Sequence, residues 1–467
     1  MAAALPARIC RLPAAPDLLA LQASDPQRFP LLLESAAEGA RGRFDLLLIG
    51  VPERLLLDAD GQLHGENLPL ETGHGFLDSL DQWWRALALP ESGPRIQLEA
   101  APVFAGGWAL FLGYELAEEI EPRLRLPKQG MHAPIAVAHR CPAAIVCDRR
   151  TGQCWIECEG EFTELFDSLC AEFGSPDAGS KAANSDASDN TVSIDDLQEE
   201  TPQRYLDGVR RCLDYIAAGD VFQVNLSRTW QARLQPGQSA ADVYRALRRS
   251  NPAPFAGVYS LGEQQWVISS SPERLVSRRG ERLETRPIAG TRARGSAEQE
   301  AALVAELVSH PKERAEHIML IDLERNDLGR VSVPGTVQVD DLMAVETYAH
   351  VHHIESTVSG HAKPGLTPGA LIRAVFPGGT ITGCPKVRCM EIIAELEQSP
   401  RGPYTGAIGW LSRSANMDLN ILIRSLLLAD DRLSFRAGAG VVADSDPQAE
   451  LDETRAKARG LLAALQG

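Results

Sequence analysis

Two short segments each carry a pair of glutamates three residues apart, Glu313 and Glu316 in KERAEH, and Glu450 and Glu453 in AELDET. On a helix this spacing puts both acids on one face, where like charges oppose each other by roughly 0.2–0.5 kcal/mol per pair. A cation held between two such helices reverses that sign. Hard carboxylate oxygens suit Mg²⁺, which keeps several waters and shares its shell with substrate. The same pattern is commonplace on a solvated helix, so spacing alone leaves both readings open.

Other residues point to anion handling. In FPGGTITGCPKVRCMEIIAELE a glycine-rich turn carrying Thr382 and Gly383 runs into an amphipathic helix that begins near Lys386. Free amides at such an end, with a lysine beside them, attract anions. A nucleotide P-loop is not expected, because Cys384-Pro385 intervenes before the lysine and no Ser or Thr follows it. In RAGAGVVADSDP, Gly438 and Gly440 allow backbone amides to approach a ligand, or a bulge to form. Arg424 lies among apolar neighbours in NILIRSLLL, and a buried guanidinium needs a carboxylate from the protein or from a substrate. Glu273 in SSSPERLVS becomes a general acid near neutral pH if its pocket is apolar, and His353 in HVHHIES is a second titratable candidate.

The elements that must position these groups are legible in outline. TPQRYLDGVRRCLDYIAAGD reads as a helix capped by Thr201 with Pro202 in its first position. Strands are expected at VFQVNLSRTWQARL, FAGVYSL, QWVISSS, RLETRPI, TGAIGWLS, MDLNILIRSLLLA and RLSFRAGAGVV, and helices across AEHIMLIDL, after GCPK and from Pro447 onward. The fold class is α+β with a large antiparallel component. Residues 1–173 form a β-rich first part and residues 201–467 the part that holds the chemistry. Between them, residues 174–200 are small, polar and acidic, and read as a mobile linker.

Bulk properties narrow the function. The chain has 467 residues, 44% hydrophobic, with a formal charge of −17. That charge argues against broad nucleic-acid or membrane-surface binding, and an anionic substrate would need local positive charge. No apolar run reaches eighteen residues, and Arg8, Arg11 and nearby prolines interrupt any signal-peptide core, so a cytoplasmic location is expected. Nine cysteines without a C-x-x-C pair fit reduced thiols rather than a disulfide framework.

Taken together, GDVFQVNLS, SPERL, RPIAGT, KERAEHIMLIDLERNDLGR, FPGGTITGCPKVRCMEII, RGPYTGAIGW, NMDLNILIRS and AGAGVVADSDPQAELDETRAKA closely resemble, in order and spacing, the chorismate-utilising enzymes. The match runs from about Thr201 to the C-terminus, and residues from about 25 to 120 look like the N-terminal part of the family's two amino-transferring branches. The resemblance implies two large antiparallel sheets packed together, with helices outside. It implies that Glu316 and Glu453 bind Mg²⁺ directly, with Glu313 and Glu450 supporting its waters, and that the metal holds the ring carboxylate of chorismate. It further implies that Arg424, Tyr404 and the amides around Gly438 hold the enolpyruvyl carboxylate, that Glu273 protonates the departing C4 hydroxyl, and that His353 lies close to the ring.

Two positions speak to the nucleophile. Branches that add water resemble one another in carrying a lysine base where this chain has Gln223, and glutamine cannot deprotonate water. Ammonia is therefore expected, supplied by a glutamine amidotransferase subunit, since no cysteine sits in a G-x-C-x-G elbow. Many aminodeoxychorismate synthases read P-I-K-G-T at the RPIAGT position, their lysine attacking C2 before ammonia displaces it by attack at C4. Ala289 cannot form that adduct and matches the anthranilate synthase pattern. Against this, FPGGTITGCPK, GRFDLLL and HHIESTV look like the aminodeoxychorismate branch. NPAPFAG also departs from the N-P-S-P-Y-M pattern of the anthranilate branch. The aminodeoxychorismate branch is the expected assignment, with anthranilate synthase the alternative.

Overall fold

Leu46 and Leu48 point to one side of the strand Phe44–Ile49 and Leu47 and Ile49 to the other, yet all four are buried. Successive side chains on a strand face opposite ways, so such a run needs cover on both faces. The computed structural model describes residues 5–36, 42–68, 75–89, 103–174, 191–262, 264–293, 305, 311–347 and 351–466. In it, that cover is a second sheet on one side and helices on the other.

One sheet has 12 strands and the other 11, and every pairing is antiparallel among the described residues. Leu31, Leu46, Leu48, Phe111, Val137, Val267, Ile408 and Trp410 fill the space between the sheets. The outer face of the first sheet is covered by the helices Ala240–Ser250 and Pro447–Gln466, that of the second by Phe76–Leu87, Pro311–Val331 and Pro368–Val375. Tyr259 donates its hydroxyl across the interface to the Ala109 carbonyl at 3.1 Å. The α+β reading with two packed sheets holds.

The two parts of the sequence are interleaved rather than side by side. Leu31–Glu34 pairs with Phe255–Gly262 in the first sheet, and Gly107–Leu112 pairs with Ala407–Ser412 in the second. Of the expected linker, residues 175–190 lie outside the described residues, whereas Ile194–Glu199 is an edge strand paired with Gln223–Leu234. Its composition is that of an edge, polar and exposed on both faces, and Glu199 is held by the buried Arg228 at 2.6 Å. The thiols also need correction: Cys147 and Cys154 face each other directly across the hairpin Ala143–Asp148 and Gln153–Cys158, and form a disulfide.

The stretch MDLNILIRSLLLA is not one strand. Met417–Asn420 belongs to the second sheet and Ser425–Ala429 to the first, and the chain crosses between them through Ile421–Arg424. A matching crossover joins Gln265–Ser271 in the first sheet to Arg274–Arg279 in the second, through Pro272 and Glu273. The apolar run looks continuous because both ends of the crossover are buried.

Candidate active site

Glu273 stands on one crossover and Arg424 on the other. The two loops are laced by the main chain: Ile421 donates to the Glu273 carbonyl at 3.0 Å and Ser270 to the Arg424 carbonyl at 3.1 Å. Arg424 has φ 53°, a left-handed conformation uncommon for a residue with a side chain. Burial holds its guanidinium below the usual range, against the pull of Tyr404, Glu273 and Glu453. Arg424 is half-buried, and among the described residues no carboxylate forms an ion pair with it.

Glu273 is 4% exposed and accepts from the Thr380 hydroxyl at 2.7 Å. Burial pushes its carboxyl up to about 8, with the charges of Glu324 and Glu355 adding to the rise and the Thr380 hydrogen bond opposing it. A carboxyl that keeps its proton at neutral pH is a proton donor. The Ile288 amide also faces it, which brings the strand Ile288–Ala293 alongside. There the register with Val351–His361 shifts between Ala289 and Thr291, around Gly290 at φ 64°. Ala289 is paired with Ile354 in that ladder, and its side chain lies outside the described residues. His353 is buried opposite Thr291.

Tyr404 and the glycine strand close another side. A Cβ on Gly438 would stand 2.7 Å from the Tyr404 hydroxyl and 2.8 Å from Asn225 Oδ1, so only glycine lets these polar atoms approach the backbone. Asn225 Oδ1 is buried without a hydrogen-bond partner. Tyr404 is seated by a network that the sequence reading missed. Glu397 accepts from Arg401 at 2.7 Å and from Arg436 at 2.8 Å, and Arg401 stacks over the Tyr404 ring at 5.4 Å. Burial alone would raise the Glu397 carboxyl, but the two guanidinium groups outweigh it and hold it below the usual range. The E-x-x-x-R spacing of Glu397 and Arg401 was the available signal.

Gln223 donates to Glu316 Oε1 at 3.1 Å, while its own Oε1 is buried and unpartnered. Both side chains border Gly440, where a Cβ would stand 2.3 Å from Gln223 Nε2 and 3.7 Å from Glu316 Oε1. From the helix Pro447–Gln466, Lys457 donates to the carbonyl of Gly438 on the same strand at 3.0 Å and pairs with Glu453 at 2.6 Å. Glu450 is buried on that helix, and the Glu313 side chain lies outside the described residues. Acids from two helices thus flank one glycine-rich strand end, and their hard oxygens fit Mg²⁺. Among the described residues no three of them converge on one point, and Glu453 is engaged by Lys457.

The turn before Lys386 packs closely against the strand that carries Gln223. Thr382 is fully buried and donates to the Gly378 carbonyl at 3.0 Å. Gly383, at φ 130°, packs against the Gln223 carbonyl, where a Cβ would come within 2.1 Å. Lys386 is ion-paired with Asp327, so its charge is already compensated. This segment orients Gln223 and Thr380.

A family model described as chorismate binding enzyme matches residues 35–463. An anthranilate synthase component I-like protein of Synechocystis is 42% identical over 368 residues, which are 78% of this chain and 73% of that protein. Aminodeoxychorismate synthase component 1 of Bacillus subtilis is 38% identical over 414 residues, 86% of this chain and 84% of that one. Among solved structures, anthranilate synthase component I from Streptococcus pneumoniae superposes with a TM-score of 0.76 at 30% identity, covering 91% of this chain and 93% of the other.

Proposed function

Since the chain belongs to the chorismate-binding enzyme family, we propose that it is the chorismate-aminating component of an aminodeoxychorismate synthase, using ammonia delivered by a glutamine amidotransferase subunit. The observation that carries amination is Gln223: where a water-adding enzyme needs a base, this chain has an amide donating to Glu316. An amide cannot take a proton from water, whereas ammonia attacks without one being removed first.

In this reading Arg424, Tyr404 and the Gly438 backbone bind the enolpyruvyl carboxylate, which supplies the partner that the half-buried guanidinium lacks among the described residues. Glu316 and Glu453, supported by Glu313 and Glu450, would hold Mg²⁺, whose charge neutralises the ring carboxylate. Ammonia forms a bond to C2 while the ring double bond shifts and the C4–O bond breaks. Glu273 gives its proton to that oxygen, which leaves as water. A second ammonia then forms the C4–N bond as the double bond shifts back and the first leaves C2 as ammonia; the C4 ammonium returns a proton to Glu273, so the net change exchanges the C4 hydroxyl for an amine and releases water. Ala289 leaves room for the small nucleophile where a lysine would otherwise attack.

Anthranilate synthase is the second reading, favoured by Ala289 and by the names of several relatives. Incubating the pure chain with chorismate, Mg²⁺ and ammonium separates the two. A product that becomes 4-aminobenzoate only after a separate aminodeoxychorismate lyase is added supports the proposal. Direct release of anthranilate and pyruvate transfers the assignment to the alternative.

A further inference from the structure

The reading of Glu273 as proton donor leaves a second buried acid beside it with no role. Glu324 lies in the helix Pro311–Val331 and is 5% exposed. The short 3-10 helix Gly379–Ile381 rests on this part of the helix: a Cβ on Gly379 would stand 2.3 Å from Leu323 Cδ2 and 3.5 Å from Glu324 Oε1. The next residue of the turn, Thr380, is the one that donates to Glu273 at 2.7 Å. Two buried carboxyls therefore bear on consecutive residues of one turn, Glu324 from the helix side and Glu273 from the crossover side.

We propose that Glu324 is a positioning residue for Glu273, seating the Gly379–Thr380 turn and, through its negative charge, keeping the proton on Glu273 until the leaving oxygen takes it. The proposal rests on the reading of Glu273 as the acid. The charged and titratable groups that bear on Glu273 are Glu324 from the helix, Glu355 from the strand Val351–His361, and Arg424 from the neighbouring crossover. Glu324 in turn meets Asp327 and Lys386, which are ion-paired with each other, so neither is a free counter-charge. Burial and Asp327 push the Glu324 carboxyl up to about 7, which places its own ionisation within the working range. In the sequence the LERND segment shows only helix and family motif, because a single acid on a helix carries no sign of what its far side touches.

The test is the alkaline limb of the kcat/KM profile for chorismate, measured on the whole chain at a fixed concentration of uncharged ammonia. E324Q keeps the shape and removes the charge, and should move the limb to lower pH by about half a unit or more, with activity below the limb within about threefold of wild type. T380V removes the hydrogen bond that favours ionised Glu273 and should move the limb the opposite way. A purely structural role for Glu324 would lower activity at all pH values alike. An E324Q limb that stays in place or moves upward overturns the proposal. Should E324Q fail to fold, E324D, which withdraws the carboxylate from Gly379, must shift the limb in the same direction by less, and no downward shift again overturns it. E273Q is the separate control: if it turns over like wild type, the acid assignment fails, whereas an inactive E273Q with an unmoved E324Q limb removes only the role of Glu324.

Discussion

Glu273 and Arg424 sit on neighbouring crossovers between the two sheets, joined by hydrogen bonds from the Ile421 amide to the Glu273 carbonyl and from the Ser270 amide to the Arg424 carbonyl. A buried acid that keeps its proton and a half-buried cation with no counter-ion among the described residues are thus fixed at the same seam. Each is unfavourable in the free protein, and a dianionic substrate with a hydroxyl leaving group would relieve the second and use the first.

Glu273→Gln should reduce turnover by about 10²–10⁴-fold, the usual contribution of a positioned acid. The same variant carries a stability signature. A carboxyl raised to about 8 in the folded protein holds a proton that the unfolded chain releases near its ordinary value, so wild-type stability falls as pH rises between those limits. E273Q should therefore melt at a higher temperature than wild type at pH 8, with the gap closing toward pH 4. An equal difference at both pH values would contradict the raised carboxyl.

Arg424→Met should raise the KM for chorismate by about 10–100-fold, the loss of a charge-assisted carboxylate contact worth about 1.5–3 kcal/mol. Because the half-buried guanidinium has no acidic partner among the described residues, the melting temperature should hold steady or rise. A large loss of stability would identify Arg424 as a structural residue.

Turnover should require Mg²⁺, and alanine at Glu316 or Glu453 should abolish it without unfolding the chain. Full activity of either variant in chelator would overturn this. Lys457 occupies Glu453 at 2.6 Å, so Lys457→Met should lower the Mg²⁺ concentration needed for half-maximal activity, as read from a metal titration. An unchanged midpoint means that the lysine does not compete.

Glutamine alone should not support product formation by the isolated chain, whereas ammonium should. Adding a glutamine amidotransferase subunit ought to restore glutamine dependence. Product from glutamine without a second protein would show that a nucleophile for amide hydrolysis had been overlooked.

Ala289→Lys should leave nitrogen at C4 of the product while changing the route. A covalent adduct on the introduced lysine, seen by mass spectrometry after quenching early turnover, is the expected mark. Loss of all 4-amino product in this variant would favour the anthranilate assignment for the parent.

Much of the candidate site is legible in the sequence as residue types at fixed spacing: Glu273, Glu316, Arg424 and Tyr404 all fall around the two crossovers or the glycine strand. What stayed hidden depends on contacts between distant segments. The ion pair of Lys386 with Asp327, 59 positions earlier, has no sign in the spacing of either residue. Glu324 and Thr380 were invisible as partners of Glu273 for the same reason. MDLNILIRSLLLA reads as one strand because hydrophobicity reports burial and cannot report which of two sheets provides it. The expected linker extends too far because the edge strand Ile194–Glu199 has the polar composition of a loop.

The paired crossovers also have a mechanical side. Each leaves one sheet and enters the other within a few residues, and the two are pinned to each other rather than to a single layer. If the sheets slide or rotate over their shared apolar interface, the displacement falls first on the few bonds that set the distance between the proton donor and the carboxylate anchor. The seam works as a caliper across the whole molecule, so packing changes far from the substrate, at Tyr259 or Trp410 for instance, should be felt as altered alignment before they are felt as lost stability.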